Sequence, residues 1–354
     1  MSESEVLFEA KGKCGVITLN RPQALNALTL TMVRDMNAQL TKWAVDDNIK
    51  AIIIEGAGGK AFCAGGDIKT VALAGIAMRN GEGDGAILRD FFREEYTLNH
   101  RIFTFPKPYI ALIDGIVMGG GKGVSAHGSH RIVTEKTMFA MPETNIGFFP
   151  DVGGGYFLPR CPGQIGPYLA LTSKRIGATD TKYIGFATHF VPSDRMPLLR
   201  ELLISAPHDI DNILPSFCKE APGMSDLTVQ RMLIDRCFGF DRIEDIMAAL
   251  EKEAQPFTQE ALNAMKGMSP TSMKIALRQI RLGKTMDFAD VMTMEYRLSQ
   301  AVLAGHDFYE GVRAALIDKD RNPHWNPAHA KDVDDAMVAA CFNPLGAQDL
   351  VLQG

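Results

Sequence analysis

An α/β protein with a largely parallel sheet and a helical C-terminal region is what the amino-acid sequence predicts. Through about the first 200 residues, short apolar runs alternate with glycine-bearing loops and helical segments, the pattern of strands joined by crossover helices. Beyond about residue 200 the glycine-punctuated strands fade, and 243–252 and 271–282 carry apolar residues at helical spacing with charged opposite faces. The 354 residues are 46% hydrophobic, enough for one large core or two modest ones. The division expected is a core over 1–200 that carries the chemistry and a helical region over 201–354.

The elements follow in order. Residues 6–10 and 16–19 are short strands around the turn Lys11-Gly12-Lys13, and Arg21-Pro22 breaks the pattern into a loop. Thr29 is placed to cap a helix whose apolar residues Leu30, Val33, Met36, Leu40 and Trp43 recur at three- or four-residue steps. Residues 51–54 form a buried strand. Residues 61–67 are a glycine-bearing loop before a helix, and 109–113 are an apolar strand before Gly119-Gly120-Gly121. The polar, glycine-dense segment 80–85 is a surface connection between helices rather than a lid.

Composition excludes several classes. Thirty-seven basic residues against 42 acidic ones give a net charge of −5, so no nucleic acid is expected as a partner. Six cysteines (Cys14, Cys63, Cys161, Cys218, Cys237 and Cys341) contain no C-x-x-C pair, which speaks against a disulfide framework or structural zinc and for a reducing compartment. The first nine residues carry three glutamates and no basic or apolar address segment. No run approaches the roughly 18 apolar residues of a membrane helix. A cytoplasmic location, or else a chain already processed, and no membrane partner are therefore expected.

Three glycine-bearing loops mark the candidate site: Ala64-Gly65-Gly66-Asp67, Met118-Gly119-Gly120-Gly121 and Asp151-Val152-Gly153-Gly154-Gly155. Without a Cβ, such loops bring main-chain N–H groups against a ligand, and two loops at helix starts can converge on one oxygen to make an oxyanion hole. Tight turns alone would use the same glycines. Rival motifs fail on single positions. A phosphate-binding P-loop needs glycine where Ile116 stands and Ser or Thr where Gly123 stands, and the nucleophile-elbow pattern around Ser125 ends in His127 instead of glycine. The stretch from Gly121 to Ala126 meets the permissive dinucleotide-binding pattern, with Glu143 at the acid position, but the strand and helix halves do not repeat downstream. His127 and His130 lack a third metal ligand, and Cys63 has no assignable histidine partner. The carboxylates Glu143 and Asp151 lie among apolar residues in a segment folded by prolines and glycine. There the surroundings set ionisation, which suits acid, base or nucleophile work; a turn-capping role reads equally well.

Taken together, the segments Asn20-Arg21-Pro22, Leu25-Asn26-Ala27-Leu28, Ala61-Phe62-Cys63-Ala64-Gly65-Gly66-Asp67 and Lys107-Pro108 to Gly121 resemble the crotonase (enoyl-CoA hydratase/isomerase) superfamily in order and spacing. The resemblance implies a spiral of repeated ββα units with coenzyme A, as part of the substrate and not as a cofactor, along Leu25, Ala27, Ala64, Gly66 and Asp67. It implies an oxyanion hole from the Gly66 and Gly120 amides. Hydratases of the superfamily carry glutamates three and twenty-three residues after the second oxyanion glycine; here those positions are Gly123 and Glu143. The segments 91–96, 142–144, 149–153, Glu310-Gly311-Val312-Arg313-Ala314 and Ile317-Asp318-Lys319-Asp320 are similar to the 3-hydroxyisobutyryl-CoA hydrolase branch. That branch implies thioester hydrolysis in valine degradation, with Glu143 catalytic as nucleophile or general base, Asp151 its partner, and Glu95, Gly120, Glu143 and Asp151 contacting substrate. A hydratase or isomerase of the same fold is the alternative. Arg21, Lys60, Lys69 and Lys122 are candidates for the CoA phosphates, and superfamily members commonly assemble as trimers or paired trimers, which makes a homo-oligomer compatible with the resemblance.

Overall fold

Alternating aliphatic residues in the N-terminal third have two faces to bury, and the fold gives each a partner. In the computed structural model, which describes residues 4–352, β1 (Val6–Lys11) and β2 (Cys14–Leu19) form an antiparallel hairpin around Gly12, whose φ of +59° suits a residue without a Cβ. β2 then pairs in parallel with β3 (Ala51–Gly56), β3 with β5 (Tyr109–Ile113), β5 with β7 (His130–Val133) and β7 with β9 (His189–Phe190). The resulting six-stranded sheet is ordered β1-β2-β3-β5-β7-β9. A second sheet joins β4 (Ala61–Cys63), β6 (Ile116–Met118) and β8 (Met138–Ala140) in the order β4-β6-β8.

Register explains the packing of the large sheet. Cys14 and Val16 of β2, Ala51 and Ile53 of β3, Ile110 and Leu112 of β5 and Ile132 of β7 share one face. They form a buried cluster with Met196, Leu199, Leu203 and Ile204 of the helix Met196–Ser205 and Ile210, Leu214 and Phe217 of the helix Ile210–Phe217. On the alternate face Gly15 makes room for the helix Leu30–Val45: an ideal Cβ there would stand 2.8 Å from Cε3 of Trp43. That helix starts where expected, because the Thr29 side chain accepts a hydrogen bond from the Met32 amide at 3.2 Å.

Two compact units are distinguishable. The first takes residues up to Gly66, Thr97–Phe139 and Arg175–Thr228, and holds the sheets just described. The second takes Asp67–Tyr96, Ala140–Lys174 and the chain from Val229, and is built from helices, among them Ile165–Thr172, Ile243–Glu253, Pro270–Gly283 and Phe288–Ala304. Each unit draws on three separate stretches of the chain. The helices after Val229 bury their apolar faces with segments 67–96 and 140–174 of their own unit. Helices make up most of the described chain after Val229, as expected for the C-terminal region.

A Gly15→Ala variant forces its new methyl against Trp43 and is expected to lose about 1–3 kcal/mol of stability by overpacking. A fall in the thermal midpoint checks this; an unchanged midpoint would contradict the described packing of that strand against the helix.

Candidate active site

Backbone geometry dominates among the candidate residues of the first unit. β4 and β6 pair in parallel, Ala61 with Ile116 and Cys63 with Val117, so the loops that follow them leave side by side. An ideal Cβ on Gly121 would stand 2.2 Å from the Cys63 carbonyl oxygen, and one on Gly65, whose φ is +127°, would stand 4.0 Å from the Gly120 amide nitrogen. The loops approach as closely as main chain allows, and Gly66 and Gly120 are brought onto neighbouring turns. Gly120 opens the short helix Gly120–Gly123, where a first-turn N–H has no acceptor within its own helix.

The residues expected along the CoA assemble beside this turn. The Ala64 amide donates to the Leu25 carbonyl at 3.0 Å and the Leu28 amide to the Gly65 carbonyl at 2.9 Å, while Leu28 and Gly66 form a parallel bridge. Leu25 and Asn26 both hold left-handed backbone, φ +51° and +57°. Asn26, fully buried, stabilises that shape: its Nδ2 donates to the carbonyls of Ala57 and Ala61, each at 2.9 Å, and its Oδ1 accepts from the Arg21 amide at 2.9 Å. In the sequence Asn26 stands out only as an amide side chain next to an apolar Leu within Leu25-Asn26-Ala27-Leu28. Asp67 follows Gly66 and caps the helix Ile68–Arg79, accepting from the Thr70 amide at 3.3 Å.

Of the basic candidates for the CoA phosphates, Lys60 and Lys69 are exposed. Lys122 is fully buried, and Arg21 pairs with Glu5 at 3.0 Å and donates to the Ala27 carbonyl at 2.6 Å. Ser125 is buried and donates to the Gly121 carbonyl at 2.7 Å, a helix-bracing contact. His130 opens β7, so it does not share a helix face with His127, and no cluster of three metal-ligating side chains occurs among the described residues.

The acids lie in the second unit. Glu143 heads the turn Glu143–Ile146 and is 5% exposed; the turn is closed by Gly147 at φ +70° and anchored by Thr144, whose hydroxyl donates to the Ala170 carbonyl at 2.9 Å. Asp151, also buried, accepts from the Tyr96 hydroxyl at 2.8 Å through Oδ2. Glu95 is 2% exposed, and its Oε1 has no hydrogen-bond partner among the described residues. Aromatic rings of the same unit pack on one another: Phe92 stacks on Phe148 at 5.3 Å, Phe148 on Phe149 at 4.5 Å, and Phe308 lies 5.6 Å from Phe148.

Such surroundings bias protonation. Burial first, and the charge of Asp151 second, hold the Glu95 carboxyl well above the usual carboxylate range. Burial and then the charges of Asp151 and Glu295 likewise raise the Tyr96 phenol, which keeps it a donor toward Asp151. Tyr96 escaped sequence reading although it adjoins Glu95, because nothing in the spacing shows that its hydroxyl reaches Asp151.

The third glycine loop has a different use. Its Gly153 and Gly155 amides donate to Oε2 and Oε1 of the fully buried Glu295 at 2.7 and 2.8 Å, so a carboxylate of the chain itself occupies them.

With this geometry in hand, comparison with known proteins defines the class. The family model for enoyl-CoA hydratase/isomerase matches residues 14–342, and the chain belongs to that family. Within it the chain is similar to proteins named mitochondrial 3-hydroxyisobutyryl-CoA hydrolase. The one from Gallus gallus is 50% identical over 99% of this chain and 92% of its own length, and that from Homo sapiens 49% identical over 98% and 90%. Among solved structures, a carnitinyl-CoA dehydratase from Mycobacterium thermoresistibile superposes with a TM-score of 0.93, and an enoyl-CoA hydratase from Rhodobacter sphaeroides with 0.91. Each is 40% identical and covers 99% of this chain and all of its own. The crotonase fold expected from the sequence is therefore the fold of this protein. The relatives' names are mitochondrial where the sequence suggested the cytoplasm; no described helix is long and apolar enough to cross a membrane.

Because Glu95 is protonated more readily in the folded than in the unfolded chain, its contribution to stability is full below the ordinary glutamate pKa of about 4.3 and is lost as pH rises through its elevated value. Glu95→Gln, which mimics the neutral acid, is expected to gain thermal stability relative to the unsubstituted protein as pH goes from 5 to 8. A constant difference across that range would mean that Glu95 titrates normally.

Proposed function

We propose that this chain hydrolyses 3-hydroxyisobutyryl-CoA to 3-hydroxyisobutyrate and free CoA, a step of valine degradation. The observation that carries the reading is near-50% identity, across almost the whole chain, to proteins bearing that hydrolase name. Position 123 supports it: where a hydratase of the family sets its first glutamate, this chain has a buried glycine inside the helix Gly120–Gly123, so the two-carboxylate handling of water is lost.

In the mechanism proposed, the Gly66 and Gly120 amides stabilise the oxyanion that forms as the thioester carbon becomes tetrahedral. A carboxylate oxygen of Glu143 forms a bond to that carbon, the C–S bond breaks, and CoA leaves as a thiolate that takes up a proton. Water then cleaves the mixed anhydride, returning Glu143 and releasing the acid. In the close variant Glu143 instead takes a proton from water, which attacks directly. Asp151 orients the 3-hydroxyl or manages the proton, and Glu95 contacts the substrate. Leu25, Ala27, Ala64, Gly66 and Asp67 line the CoA, within the first 200 residues proposed to carry the chemistry.

No cofactor beyond the CoA moiety enters this scheme, and neither nucleic acid nor membrane is a partner; self-association is proposed as in the superfamily at large. The six free thiols fit the reducing cytoplasm proposed from the sequence and fit the mitochondrial location in the relatives' names equally. Fractionation of the source cells decides between these locations.

A thiol-reactive dye should report CoA release from 3-hydroxyisobutyryl-CoA, with little hydration of crotonyl-CoA. Glu143→Gln should lower kcat by roughly 1000-fold or more, the scale seen when a group central to acyl transfer is removed. Rapid hydration of crotonyl-CoA without thiol release would replace the hydrolase reading by a hydratase one, and full turnover by Glu143→Gln would remove that residue from the mechanism.

A further inference from the structure

The loop that carries Asp151 holds a shape it would not adopt unaided. Val152, a β-branched residue, sits at φ +48°, and Gly153 follows at +83°. Three contacts from outside the loop fix this bend. The amides of Gly153 and Gly155 point at the two oxygens of Glu295, and Nε2 of Gln279 donates both to the Pro150 carbonyl at 2.8 Å and to Glu295 Oε1 at 3.0 Å. Glu295 lies on the helix Phe288–Ala304 and Gln279 on the helix Pro270–Gly283; both side chains are fully buried. Gly155 lets them approach, since a Cβ there would stand 3.0 Å from Gln279 Nε2 and 3.1 Å from Glu295 Oε1.

Amides of one tight turn aimed at an anion form a concave nest of the kind that elsewhere binds phosphate or other anions, and here the Gly153 and Gly155 amides do so while that of Gly154 donates to the Asp151 carbonyl at 2.7 Å. Here the anion is internal, and the bonds are of the stronger, charge-assisted type. The nest begins two residues after Asp151, so the direction in which the Asp151 carboxyl emerges depends on whether the nest is filled. On the far side, the Tyr96 hydroxyl holds Asp151 Oδ2. One end of the catalytic segment is thus tied through its side chain and the other through its backbone.

We propose that Glu295, with Gln279 as its bracket, is a positioning residue for thioester hydrolysis: it fills the nest after Asp151 and thereby sets the orientation of the Asp151 carboxyl. The inference rests on the reading of Asp151 given above. Glu295 touches neither substrate nor reacting atoms; it acts through Asp151.

The test is thiol release from 3-hydroxyisobutyryl-CoA by the full-length protein and a set of variants. In Glu295→Gln an amide NH2 faces a backbone N–H, and kcat is expected to fall about 100-fold with KM within roughly threefold, the split that marks loss of transition-state geometry. Combined with Asp151→Asn, the same change should cost no more than about threefold beyond Asp151→Asn alone, because residues acting through one another are not additive. Adding Val152→Gly to Glu295→Gln should return at least roughly fivefold, since glycine reaches the left-handed bend without help; a merely structural role for Glu295 predicts no such rescue. Should Glu295→Gln fail to fold, Gln279→Met carries the same comparison, with an expected tenfold or so loss in kcat that again disappears in the Asp151→Asn background. A folded Glu295→Gln within threefold of normal kcat, or losses that multiply with Asp151→Asn, would overturn the proposal. Asp151→Asn at full rate would overturn it too, and that single variant shows the failure to lie in the role of Asp151 rather than in the clamp.

Discussion

Two loops whose main chains nearly touch are the constraint on which the candidate chemistry depends. Between Cys63 and Gly121 no side chain fits, since a methyl on Gly121 would lie 2.2 Å from the Cys63 oxygen. The parallel pairing of β4 with β6 delivers both loops to the same place, and the left-handed turn at Leu25 and Asn26 closes over Gly65 and Gly66. Amides presented this way are preorganised: they need no reorganisation as negative charge develops on an oxygen, and that accounts for the strength of such sites. Fixed backbone donors engage only the oxygen and make no demand on the rest of the acyl group.

In the proposed mechanism the outcome is set by carboxylates and by the polarity around them. Glu95, Glu143 and Asp151 are all buried, in the unit that also holds the packed rings of Phe92, Phe148, Phe149 and Phe308. Burial penalises charge, and a neighbouring acid penalises it further, so Glu95 is pushed toward the neutral acid; Asp151 takes a hydrogen bond from Tyr96. Similar residues can in this way hold dissimilar roles in one reaction.

The three glycine loops, alike on paper, serve two purposes. The first two expose amides for a ligand in the proposed mechanism. The third spends its amides on Glu295 and so becomes a rigid mount for Asp151 instead of a binding surface. A glycine-rich motif therefore announces close backbone approach, and only the surrounding fold says what is being approached.

Local rules sufficed for much of this protein. The hairpin around Gly12, the helix capped by Thr29, the strand ahead of Gly119 and the helices near 243–253 and 270–283 follow from periodicity and turn chemistry, which depend on neighbours in the chain. The order of its glycine and proline segments was enough to indicate the family, and the absence of a carboxylate at Gly123 to argue against a hydratase. Tertiary structure alone decided the rest. That each compact unit is assembled from three separate stretches of chain, that Tyr96 reaches Asp151 across 55 residues and that Glu295 reaches Gly153 across 142 depend on long-range packing. An acid on the apolar stripe of the helix Phe288–Ala304 was a signal that something buried awaited it, yet its partner is a pair of backbone amides, and every residue offers an amide. Sequence names side chains; which main-chain groups they will meet is settled when the chain closes on itself.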